Sequence, residues 1–120
     1  WSDSVAEFCK SANILYLPGC VTPTEIMKAM DMGINVVKFF PASVYGGLKA
    51  IKALAAPFTG VKFVPTGGVN ALNLAEYLAF DKVVAVGGSW MVDGKLVKEG
   101  RFDEIERLAR EARTIADSVR

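Results

Sequence analysis

Apolar residues follow two rhythms along this chain. Short, almost unbroken runs, Ile14-Leu15-Tyr16-Leu17, Val36-Val37-Lys38-Phe39-Phe40, Val61-Lys62-Phe63-Val64 and Val83-Val84-Ala85-Val86, alternate with stretches whose apolar positions recur every three or four residues. Runs of that length, closed by proline or glycine, predict strands buried on both faces. They begin near residues 13, 35, 61 and 83, and starts 22 to 26 residues apart leave room for a crossover helix between neighbours.

The periodic stretches carry helix signals at their ends. Ser2-Asp3-Ser4 predicts a capped helix through about Ala12 that buries Val5, Phe8 and Cys9. Thr22-Pro23-Thr24-Glu25 predicts a stronger start, with Thr22 as cap, Pro23 in the first turn and Glu25 completing a capping box. That helix carries Ile26, Met27, Ala29 and Met30, and Gly33 ends it. Gly46-Gly47 leads into a helix over Leu48 to Ala55, and Asn70 or Asn73 caps one through Tyr77, Leu78 and Phe80. After a polar loop, Asp103 is expected to cap a final helix whose stripe is Ile105, Leu108, Ala109, Ala112, Ile115, Ala116 and Val119.

A helix followed by four strand–helix units predicts an α/β protein with right-handed crossovers and a parallel sheet. Three of the predicted strands end in proline and all four lead into small residues, a weak repeat that fits duplicated units. No linker or shift in composition divides the chain. An open doubly wound sheet and part of a (β/α)8 barrel both fit this pattern. A whole barrel takes about 250 residues, so four units in 120 residues would make half of one.

Composition narrows the chemistry. With 52% hydrophobic and 22% charged residues the chain has the make-up of a packed domain. Fourteen basic residues face 13 acidic ones without a basic stripe, which predicts no nucleic-acid partner. The apolar runs are far too short to span a bilayer, and no charged leader precedes an apolar segment, so neither a membrane partner nor a secretory route is expected. Cys9 and Cys20 form no metal or redox spacing and are expected to be reduced thiols. Histidine is absent, which removes Ser-His and Cys-His nucleophile pairs and most zinc sites. Lysine, carboxylate, tyrosine, hydroxyl or thiol must then do any chemistry. The chain opens on Trp1 in what reads as a helix start, and truncation is the expectation.

Lys38 is the first candidate. Strand alternation sends Val36, Lys38 and Phe40 one way and Val37 and Phe39 the other, so the amine has no route to water unless its face opens at a site. Burial of an ammonium is costly, and a desolvated neutral amine suits attack on a carbonyl. A snorkelling or ion-paired lysine is the plainer alternative. Lys62, at a strand edge, fits that alternative better. The second candidate is a pair of glycine turns, Thr66-Gly67-Gly68 and Gly87-Gly88-Ser89, after the last two strands. Glycine lets backbone N–H groups approach an anion closely, and each turn has a hydroxyl neighbour. In a barrel these are the loops that commonly hold phosphate.

The stretches LPG-x-x-TPTE, VVKFFPA, FVPTGGVN and V-x-GGSW, in this order across nearly the whole chain, resemble the 2-keto-3-deoxy-6-phosphogluconate (KDPG) aldolases. The resemblance implies the C-terminal half of a (β/α)8 TIM barrel over residues 1–120, with the N-terminal strands absent. It implies a class I lyase in which Lys38 forms the Schiff base and Phe40 packs on the pyruvyl part of the substrate. Pro18 and Gly19 would then lie on the rim, and Thr66, Gly67, Gly68, Gly87, Gly88 and Ser89 around the phosphate. It further implies a cytoplasmic, homotrimeric enzyme of Entner–Doudoroff carbohydrate metabolism that needs no metal or other cofactor. The partners would be the phosphorylated keto acid and pyruvate.

The family's proton-transferring glutamate and carboxylate-holding arginine belong to the absent strands. Glu7 and Glu25 sit at helix starts and do not replace them, so this chain is expected to be nearly inactive alone. Cleavage of 4-hydroxy-2-oxoglutarate (the KHG reaction) is a related alternative. A non-catalytic half-barrel that assembles with itself or with the missing half is an alternative of another kind.

Overall fold

The computed structural model describes all 120 residues. Serine at position 2 caps α1 (Asp3–Ser11), its hydroxyl accepting from Val5 N. Helix α2 (Pro23–Asp31) has the full capping box. Glu25 N donates to Thr22 Oγ1, and the Glu25 carboxylate accepts from the N–H groups of Thr22 and Val21. Gly33, at φ +78°, turns the chain out of α2. Then come β1 (Val36–Phe39), α3 (Gly47–Ala55), β2 (Lys62–Pro65), α4 (Leu74–Ala79), a 3₁₀ turn at Trp90–Val92, α5 (Gly94–Lys98) and α6 (Phe102–Val119).

The strands pair in chain order. Gly19 bridges to Lys38, β1 pairs with β2 from Val36–Lys62 to Phe39–Pro65, and Phe63 and Thr66 bridge to Val83 and Gly87, all in parallel. Helices cover one face only. Val37, Phe39, Val61, Phe63 and Val83 are fully or almost fully buried there against Ile26, Ala29, Ile51 and Leu74. On the other face Val36, Lys38 and Val64 are half-buried and Phe40 is exposed. The radius of gyration, 15.8 Å, exceeds the value of about 13.6 Å expected for a globule of this length, and the outline is elongated at 44 × 30 × 25 Å.

The strands are buried on one face rather than two. Residues 14–17 form no strand; only Pro18, Gly19 and Cys20 engage β1, and Leu15 is 87% exposed. A continuous apolar run signals burial, yet nothing lies over this one. The last strand is likewise reduced to two bridges, between which the register slips by one residue. In α1, Ala6 is the buried residue, whereas Val5 and Phe8 are exposed and Cys9 is only partly covered. Arg101, not Asp103, precedes α6, and Asp103 lies in its first turn, where a carboxylate also meets favourable helix-end charge. The expected polar loop contains the 3₁₀ turn and α5, with Asp93 accepting from Lys95 N. Helix α6 buries no residue completely, and Ala109 is exposed. Its half-buried Ala112, Ile115, Ala116 and Val119 pack on the core, while Arg107, Arg110 and Arg113 pair with acidic neighbours outside.

Candidate active site

Strand alternation and pairing bring the predicted residues to one place. Lys38 lies between two neighbours: its N–H donates to Pro18 O and its carbonyl accepts from Cys20 N on one side, and Val64 is its register partner on the other. The side chain therefore rises on the uncovered face, half-buried, with Nζ 5.6 Å from the centre of the Phe40 ring. The face that carries the amine is open, so Lys38 is less desolvated than its place in an apolar strand implies.

Around it is an open cleft of about 420 Å³, lined by Lys38, Phe40, Thr66, Gly67, Gly68, Gly87, Gly88 and Ser89. Leu17, Val64 and Val69 complete its wall. Strand register makes Leu17 and Val64 readable once Lys38 is assigned, because both alternate onto its face; Val69 has no such signal. Gly19 pairs with Lys38 and is exposed beside it, but Pro18 is fully buried and absent from the cleft wall. Its contribution is the carbonyl that anchors Lys38, because alternation turns its ring toward the helices.

The two turns are shaped for close approach. Gly67 and Gly68 have φ of +94° and +77°, a region costly for other residues, and a Cβ on Gly68 would meet Ser43 Oγ at 2.3 Å. The turn is pinned to the loop after β1, whose Ala42 and Ser43 N–H groups donate to the carbonyls of Thr66 and Gly67. The N–H groups of Gly67, Gly68, Val69, Gly88 and Ser89 have no partner within the protein. Five unengaged donors on one cleft are what an anion with several oxygens needs. No carboxylate lines the cleft. Glu25 is occupied in its capping box. Burial works against its charge, yet the bonds from Val21 and Thr22 hold its carboxyl below the usual range.

Fold and cleft define a parallel α/β protein with a lysine and a cradle of free N–H donors at one end of its sheet. The family model described as KDPG and KHG aldolase matches residues 1–108, and the chain belongs to that family. It is 45% identical over 107 residues to a 2-dehydro-3-deoxy-phosphogluconate aldolase of Treponema pallidum, covering 89% of this chain and 51% of the relative. It is 47% identical over 96 residues to a KHG/KDPG aldolase of Escherichia coli, covering 80% and 45% respectively.

Among solved structures it resembles a KDPG aldolase of Legionella pneumophila with pyruvate captured as a covalent carbinolamine intermediate (TM-score 0.86, 37% identity, 90% of this chain and 52% of that one). It also resembles the 2-keto-3-deoxy-6-phosphogluconate aldolase of Zymomonas mobilis with 3-phosphoglycerate (TM-score 0.86, 33% identity, 93% and 52%). The chain spans about half the length of the curated relatives it matches. No helix is long and apolar enough to cross a membrane.

Proposed function

We propose that this chain is the C-terminal half of a (β/α)8 aldolase domain and carries its Schiff-base lysine and phosphate cradle. The observation that carries the reading is the shared cleft of Lys38 and the two glycine turns. In the complete domain the Lys38 amine adds to the C2 carbonyl of KDPG, forming a carbinolamine that loses water to an iminium. The C4 hydroxyl gives up its proton as the C3–C4 bond breaks. That bond's electrons enter the iminium to form an enamine, and glyceraldehyde 3-phosphate leaves. Protonation at C3 and addition of water then release pyruvate and restore the amine.

Phe40, exposed beside Nζ, offers the pyruvyl group an apolar wall. The five free N–H donors favour a phosphorylated substrate over 4-hydroxy-2-oxoglutarate. No carboxylate on the cleft can move the C4 proton, so the missing half supplies that group and the chain alone is nearly inactive. Residence in the cytoplasm and a trimeric assembly in sugar-acid breakdown complete the reading. Pyruvate release, measured with the chain alone and mixed with the complementary half of a relative, tests it. Activity only in the mixture, and greater on KDPG than on 4-hydroxy-2-oxoglutarate, is expected. Equal rates on both substrates would overturn the phosphate assignment, and no activity in a folded mixture would overturn the catalytic one.

A further inference from the structure

Asn73 stands at the capping position of α4, yet its side chain makes no cap hydrogen bond. It folds back onto the glycine turn: Nδ2 donates to Gly68 O at 2.9 Å and Oδ1 accepts from Asn70 N at 2.8 Å. A carbonyl can only accept and a backbone N–H can only donate, so the amide has a single orientation. The Asn70 side chain in turn accepts from Leu72 N at 2.9 Å. The segment from Gly68 to Asn73 is thus closed by its own side chains.

The consequence reaches the cleft through one peptide plane. The Gly68–Val69 peptide is trans, so its N–H leaves on the edge opposite the carbonyl that Asn73 holds. Val69 N–H is one of the unengaged donors, and Val69 lines the cleft. Glycine at position 68 would otherwise let this plane rotate widely. We propose that Asn73 is a positioning residue for anion binding: by fixing the Gly68 carbonyl it aims the Val69 N–H at a phosphoryl oxygen. The inference rests on the phosphorylated-substrate reading above. Asn73 does not line the cleft, so its loss should weaken anion binding without touching the chemistry at Lys38.

Calorimetric titration with inorganic phosphate, on the 120-residue chain and its Asn73→Ala and Asn73→Ser variants, tests this. Serine is a good cap residue but too short to reach Gly68 O, so Asn73→Ser keeps α4 and decides the matter even where Asn73→Ala fails to fold. Both variants are expected to bind phosphate about tenfold more weakly, the loss of one aligned hydrogen bond to a charged group. Borohydride trapping of pyruvate on Lys38, measured with the complementary half supplied, should stay unchanged. Equal phosphate affinity in Asn73→Ser and the unsubstituted chain would overturn the role of Asn73 and leave the phosphate reading standing. No saturable binding by the unsubstituted chain would overturn both. Parallel loss of phosphate binding and pyruvate trapping would make Asn73 merely structural.

Discussion

Gly88 leaves room for the indole of Trp90: a Cβ built on Gly88 would stand 1.9 Å from Cζ3 of that ring and 2.4 Å from Cε3. Gly88→Val must therefore displace the indole or distort the turn that offers the Gly88 and Ser89 N–H groups. We expect a loss of about 1–3 kcal/mol in stability, as for other overpacked sites, with weaker phosphate binding. Gly94→Ala is the control, since nothing lies within 4 Å of its added Cβ. Thermal melts and phosphate titrations of the two variants should diverge, and equal behaviour would refute the packing argument.

The two thiols should behave differently. Cys20 is fully buried, and burial first, then the Glu25 carboxylate, push its thiol up to about 11. Cys9 is partly exposed. Iodoacetamide at mildly alkaline pH is expected to modify Cys9 quickly and Cys20 only on unfolding. Because the native thiol keeps its proton after an unfolded one, near 8.5, has lost it, stability should fall as pH rises from there toward about 11. Replacing Cys20 with alanine should flatten that slope.

Glu25 gives the opposite limb. Its carboxyl is held below the usual range in the native state, so its contribution is present above the unfolded value of about 4.3 and is lost as pH falls through the lower native value. Urea midpoints followed from neutral pH into the acid range should decline less steeply for Glu25→Gln than for the unsubstituted chain. Parallel declines would mean that the capping box contributes no acid sensitivity.

Strand order, the helix over Pro23–Asp31 and the grouping of Lys38 with both glycine turns were legible in the sequence. The helix follows from local capping signals, whereas the order and the grouping follow from the regular strand–helix repeat, which places successive strand ends side by side. What covers a strand was not legible. The run Ile14–Leu17 looks the same in sequence whether or not a layer lies above it, and here none does. Pro18 reads from the sequence as a rim residue, yet its ring is buried, because its facing follows from pairing with Lys38, a long-range fact. Asn73 was hidden by its own plausibility as a cap, since the same side chain serves either the helix or the turn.

The open face predicts association. Leu15 and Phe40 are 87% and 54% exposed, and the first and last extended segments have free edges. Covering each such side chain is worth about 1.5–3 kcal/mol, a large share of the ordinary stability of about 5–15 kcal/mol. Sedimentation should find the chain self-associated or, when the complementary half is supplied, bound to it. A monomer with a sharp melt independent of concentration would contradict this.

The Schiff-base reading makes Lys38 the nucleophile. Pyruvate and borohydride, added to the chain together with its complementary half and followed by peptide mapping, should leave a stable adduct on Lys38 and none on the exposed Lys52 or Lys62. An adduct on either of those lysines, with Lys38 unmodified, would contradict it.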